Sequence, residues 1–127
     1  MNYKLQQKLA KKYPKIFRYI GGDPRKTCMA FGIETGDGWY DIINGLCEQI
    51  VKIDPLGNVR ASQVKEKFGG LRFCVVGATE EIYSLIDTAE AMSFETCEDC
   101  GTREGVTTEG GYLLTLCRKC RKKQEEK

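Results

Sequence analysis

Cys97-Glu98-Asp99-Cys100 and Cys117-Arg118-Lys119-Cys120 are the two stretches around which this chain is organised. Sixteen residues separate them, which falls inside the C-x₂-C-x₁₅₋₂₀-C-x₂-C pattern of a zinc site. A C-x-x-C turn sets two thiolates along one edge of a tetrahedron. A second such turn, returned by a hairpin, completes a Cys₄ set. Gly101 permits a tight backbone after the first pair. Gly110-Gly111 and the strand-like run Tyr112-Leu113-Leu114-Thr115-Leu116 supply the hairpin. The pattern predicts one structural Zn²⁺ per chain, held by Cys97, Cys100, Cys117 and Cys120. A redox dithiol would instead use one C-x-x-C beside a βαβ unit. The segment from 97 onward is too short to bury a core that folds alone. Structural zinc supplies about 10–16 kcal/mol in small peptides. Four protein ligands leave no position for water, so such a metal is a staple rather than a catalyst.

The rest of the composition narrows the function. The 127 residues include 7 cysteines and no histidine. Without imidazole, Ser-His-Asp and Cys-His catalysis are excluded, and any zinc set must be all-thiolate. A non-enzymatic role is the expectation. Hydrophobic residues make up 41% and charged residues 30%, which suits a soluble chain with a modest core. The longest apolar runs, such as Phe73 to Val76, fall far short of the ~20 residues that span a bilayer. The first residues, Met1-Asn2-Tyr3-Lys4-Leu5-Gln6-Gln7, lack the apolar stretch of a secretory signal, so a cytoplasmic setting is expected. In that reducing compartment, cysteine pairs read as metal ligands before disulfides, and an odd count argues against a complete disulfide framework. Cys28, Cys47 and Cys74 are then read as small buried hydrophobes.

Working back from the cysteines, residues 1–94 read as an α+β domain, 95–122 as a zinc ribbon and 123–127 as a polar tail that frays. Leu5, Leu9, Tyr13, Ile16 and Ile20 recur at helical spacing, predicting helix over 3–20 with a kink or a break at Pro14. Cys28 to Glu34 reads as a strand. Ile42, Ile43, Leu46, Cys47, Ile50 and Ile53 mark a helix that starts near Trp39, itself read as a core anchor. Residues 59–77 read as a β-hairpin whose tight turn uses the positive φ of Gly69-Gly70, although 61–68 also tolerates a short helix. Thr79 is the expected N-cap of a helix with Ile82, Leu85, Ile86, Ala89 and Met92 on its buried stripe.

Charge is segregated along the chain. Residues 1–26 carry eight cations against Asp23 alone, a net +7; residues 27–96 are net −6, and 97–127 net +1. Four thiolates with Zn²⁺ add −2, which brings the formal +2 to about zero on unit-charge bookkeeping. Lys4, Lys8, Lys11, Lys15 and Arg18 fall on one helical face and are the candidate partner-binding surface. The alternatives are a solvated face or one docked on the acidic middle of the chain. Arg118, Lys119, Arg121 and Lys122 are candidate assistants in contacting nucleic acid. Glu34, Asp37 and Asp41, with Gln63-Val64-Lys65, allow a Mg²⁺-dependent nuclease as a distant alternative; Asp37 and Asp41 read equally as turn and helix-start acids.

One resemblance adds to this. Gly36-Asp37-Gly38-Trp39-Tyr40, then Gln63 to Phe73 (QVKEKFGGLRF), then a helix and two C-x-x-C pairs, resemble a family of small, largely uncharacterised phage, prophage and bacterial proteins. The likeness spans roughly residues 30–120 and leaves out the basic N-terminal segment. It implies an accessory gene of a phage or mobile element acting in the host cytoplasm, and it brings no catalytic residues. The expected function is binding of a host macromolecule: first a host protein, as a modulator or inhibitor of a bacterial defence system, and alternatively nucleic acid.

Overall fold

The apolar stripe Ile42, Ile43, Leu46, Cys47 and Ile50 is buried along one side of helix α2 (Tyr40–Ile53). It is the centre of the body in the computed structural model, which describes residues 1–126. Before it come α1 (Tyr3–Lys12), a 3₁₀ turn (Cys28–Phe31), the two-residue strand β1 (Ile33–Glu34) and a second 3₁₀ turn (Asp37–Trp39). After it come β2 (Arg60–Lys67), β3 (Gly70–Val76) and α3 (Glu80–Ser93). The cysteine-bearing part contributes β4 (Val106–Glu109), β5 (Leu114–Cys117) and α4 (Arg118–Glu125). The fold is α+β, with a three-stranded sheet in the order β1-β2-β3 and a separate β4-β5 hairpin.

In the main sheet β1 runs parallel to β2, pairing Ile33 with Val64, and β3 runs antiparallel to β2. Alternation puts Val64, Leu71 and Phe73 on the buried face. A register shift between Ala61 and Gln63 lets Ala61 and Val64, three apart, both face inward. α2 and α3 pack together, and α3 lies on β3. Trp39, Leu9 and Ile43 are completely buried among them. The Phe17 ring meets Phe73 edge-on, with centroids 6.4 Å apart. The Thr79 hydroxyl accepts the Ile82 amide at 3.4 Å, as its place before α3 requires.

Four expectations are corrected. The break expected at Pro14 is present, with α1 ending at Lys12, but residues 14–20 form consecutive turns rather than the continuing helix expected there. Pro14 donates no amide and disfavours helical backbone at Tyr13. The turns still bury Ile16 and Phe17, and the Ile16 carbonyl accepts the Ala61 amide at 2.8 Å. Apolar spacing alone therefore could not distinguish them from a helix. The strand expected over 28–34 survives only at 33–34. Thr27 Oγ1 accepts the Met29 amide at 3.1 Å and caps a 3₁₀ turn instead, which leaves Cys28 exposed rather than buried.

The hairpin turn is Phe68-Gly69, one residue earlier than expected. Phe68 (φ 53°) and Gly69 (φ 86°) are its central pair, and Gly70 opens β3 opposite Lys67. The basic end of the chain is helical through Glu125, because Cys117 caps it and Lys122 and Lys123 suit the negative end of the helix dipole.

Candidate metal centre

The two C-x-x-C turns face each other. The Sγ atoms of Cys97, Cys100, Cys117 and Cys120 all lie within 4.8 Å of one another, and this group could hold a metal ion. Cys100 Sγ and Cys117 Sγ are 3.8 Å apart. A tetrahedral metal with bonds of about 2.3 Å to sulfur requires an edge of about 3.8 Å, whereas a disulfide requires about 2.05 Å. Cys97, Cys117 and Cys120 are buried and Cys100 is exposed.

The two turns are built alike. The amide of Cys100 donates to Cys97 Sγ at 3.5 Å, and the amide of Cys120 donates to Cys117 Sγ at 3.4 Å. Each leading sulfur thus accepts a backbone amide from within its own turn. At Cys117 that amide holds the thiol down at about 7. Burial, and then the neighbouring sulfurs, push Cys120 up. Four thiolates this close repel one another, and a bound cation is what makes all four compatible. β5 delivers Cys117 to the start of α4, and Cys120 rides on the first turn of that helix. Arg121 locks helix to hairpin: its guanidinium donates to the carbonyls of Thr107 (2.6 Å) and Leu114 (3.0 Å). That internal work corrects its reading as a candidate partner contact.

The first turn is seated on the body by backbone contacts that spacing did not reveal. The Gly38 amide donates to the Glu98 carbonyl at 2.7 Å, and the Gly36 amide donates to Glu98 Oε2 at 2.8 Å. A Cβ on Gly38 would stand 2.2 Å from the Cys97 carbonyl oxygen, and one on Gly36 2.3 Å from that of Glu98. Only glycine allows this approach. The indole of Trp39 donates to the Thr96 carbonyl at 2.9 Å. Burial pushes the Glu98 carboxyl above its ordinary range, opposed by the Gly36 amide.

The second motif makes a parallel contact. A Cβ on Gly69 would meet Thr108 Cγ2 at 2.5 Å, and one on Gly70 would meet the Phe94 ring at 2.4 Å. The buried Thr115 hydroxyl donates to the Gly69 carbonyl. Gly36-Asp37-Gly38-Trp39 and Gly69 are therefore two points at which the body receives the cysteine-bearing hairpin, while Gly70 makes room for Phe94 at the end of α3. Glycines two apart immediately before a tryptophan are the signal the sequence offers for this seat.

The remaining candidate residues lie elsewhere. Lys4, Lys8 and Lys11 are exposed on α1, but Lys15 and Arg18 lie beyond its end, so the five do not share one helical face. Among the described residues none of the five forms an ion pair. Arg18 is engaged with the carbonyls of Lys15 and Gly57, and Lys8 Nζ stands 5.5 Å from the centre of the Tyr40 ring. Asp37 accepts the backbone and side-chain amides of Asn2 at 2.7 and 2.9 Å, so it ties down the start of α1. Glu34, Asp37 and Asp41 do not form a metal-binding group among the described residues. Cys47 is buried as expected and Cys74 half-buried. No described helix is long and apolar enough to cross a membrane. Compared with protein-family models, curated proteins and solved structures, the chain has no match.

Proposed function

We propose that the centre holds one structural Zn²⁺ and that the protein is a non-enzymatic binder of a host macromolecule. The observation that carries this is the closed set of four sulfurs, mutually within 4.8 Å. With four thiolates bound, zinc has no open position for water or substrate, so it acts as a rigid staple. Thiolate softness selects zinc over the harder divalent cations. The resemblance of GDGWY and QVKEKFGGLRF to phage and prophage proteins supports a bacterial cytoplasm as the setting. It also supports a host protein as the partner, with modulation or inhibition of a defence system as the outcome.

Elemental analysis of natively purified protein tests the metal. About one zinc per chain is expected, and Cys97→Ser should lose it; metal-free native protein would overturn the centre. Affinity purification from a bacterial host, read for both protein and nucleic acid, tests the partner. A host protein retained specifically supports this reading, and no protein above background counts against it. One observation favours a second reading: Lys4, Lys8, Lys11 and Lys15 are exposed with no ion-pair partner among the described residues. They could track phosphates, with affinity that falls steeply as salt rises. Unchanged binding after charge reversal at Lys8 and Lys15 would remove that alternative.

A further inference from the structure

Two turn tips lie side by side, and both present apolar side chains to solvent. Phe68 in the β2–β3 turn is 71% exposed; Tyr112 and Leu113 in the β4–β5 turn are 81% and 41% exposed. The Leu113 carbonyl is 3.8 Å from where a Cβ on Gly69 would stand, so the tips adjoin. A cleft of about 570 Å³ opens between them, walled by Lys65, Glu66, Lys67 and Phe68 on one side and Gly111, Tyr112 and Leu113 on the other.

Phe68 is unusual in a second way. Among the described residues it is the one non-glycine with positive φ, at 53°. That left-handed backbone suits Asn or Gly in such a turn and is strained for a bulky aromatic. Neither burial nor backbone preference explains a phenylalanine here. Strain combined with exposure is the pattern of a residue kept for contact.

The charges around the tips favour an anion. Cross-strand pairing of Lys65 with Arg72, and the two-residue period along β2, place Lys65, Lys67 and Arg72 on one face of the hairpin, opposite Val64 and Phe73. None of the three is in an ion pair among the described residues. Lys67 Nζ lies 5.6 Å from the centre of the Phe68 ring. Three acids are nearby. Glu66 is used within the turn, where its Oε2 accepts the Gly69 amide at 2.8 Å; Glu34 stands opposite Lys65 in the register, and Glu90 of α3 lines a neighbouring cavity with Lys67, Phe68 and Arg72.

We propose that Phe68 and Tyr112 stack the bases of single-stranded nucleic acid while Lys65, Lys67 and Arg72 hold its phosphates. Exposed rings beside a cationic strand face are the elements of a single-strand platform. Paired bases in a duplex have their faces covered and cannot use them. The surface is distinct from the cations of residues 4–18, and the inference does not depend on a host-protein partner.

The test uses the zinc-loaded full chain and a fluorescently labelled oligothymidylate of about 10 nucleotides, read by anisotropy. Saturable binding that weakens with salt is expected. Tyr112→Ala and Phe68→Asn should each weaken it roughly 5- to 100-fold, and Phe68→Trp should retain it. Because Asn suits the turn, Phe68→Asn should bind worst while melting higher than the parent chain. Lys65→Gln with Lys67→Gln should flatten the salt slope by about 1.4. No binding at low salt would overturn the assignment, including the case in which the same variants abolish capture of a host protein. Equal affinity for duplex, or unchanged affinity in Phe68→Asn and Tyr112→Ala, would also overturn it. So would a lowered melting point in Phe68→Asn, which would assign the ring to the fold. Failure of the zinc assay and failure of this one are separable, since the first reads metal and the second reads oligonucleotide.

Discussion

The body and the cysteine-bearing hairpin are held together by different forces. The body buries twenty hydrophobic side chains in one cluster that runs from Leu9 to Ala89. The hairpin's hydrophobic cluster has only four buried members, three of them cysteines of the metal-binding group and the fourth Leu116. Apolar burial at roughly 25 cal/mol per Å² can hold the first region but not the second. Cohesion in the second must come from the centre and from what the body lends it. The loan is specific: two glycine-containing turns accept the hairpin at contact distances that a single methyl group would break.

The largest effect should come from chelating the zinc proposed for the four-cysteine centre. Structural zinc is worth on the order of 10–16 kcal/mol in small peptides, so chelation should melt residues 97–120 while the body stays folded. Hydrogen exchange read by segment would show protection lost in β4, β5 and α4 but kept in α2, α3 and β3. Loss of protection in both regions together would dissolve the distinction.

Trp39 belongs to both regions, since it is fully buried in the body and hydrogen-bonded to Thr96. Trp39→Ala should cost about 3–5 kcal/mol in urea unfolding. Gly38→Ala addresses the joint alone. A Cβ placed 2.2 Å from the Cys97 carbonyl oxygen should cost about 1–3 kcal/mol and speed metal loss to a competing chelator. Gly45 supplies the contrast. It lies inside α2, and a Cβ there would meet nothing within 4 Å. Gly45→Ala should stabilise the body by about 0.4–1 kcal/mol and leave metal release unchanged. If Gly38 and Gly45 behave alike, the joint is not the sensitive point proposed.

Legibility followed the range of the interactions. The α2 stripe, the Thr79 cap and the β2–β3 hairpin are written within a few residues of themselves and are legible there, although the hairpin's turn, and with it the register, falls one residue earlier than Gly69-Gly70 implies. Residues 14–20 were misread because their turns present Ile16 and Phe17 inward much as a helix would, while Pro14 had already ended the hydrogen-bond ladder. Cys28 was assigned to the core by composition. Its exposure depends on the Thr27 cap, which turns the chain into 3₁₀ geometry. The five cations separated for the same reason that the helix stopped.

The sequence by itself determined the identity of the four sulfur donors and the α+β class. Each rests on local spacing: three-residue steps between cysteines, and periods near 3.6 and 2 along helices and strands. Tertiary structure alone decided that Gly36 and Gly38 receive the Glu98 backbone and that Phe68 and Tyr112 share a cleft. Gly36 and Glu98 are 62 positions apart, and the Gly69 carbonyl accepts from Thr115, 46 positions away. Contacts of that separation leave no periodic trace in the chain, because what specifies them is the space a missing side chain leaves open.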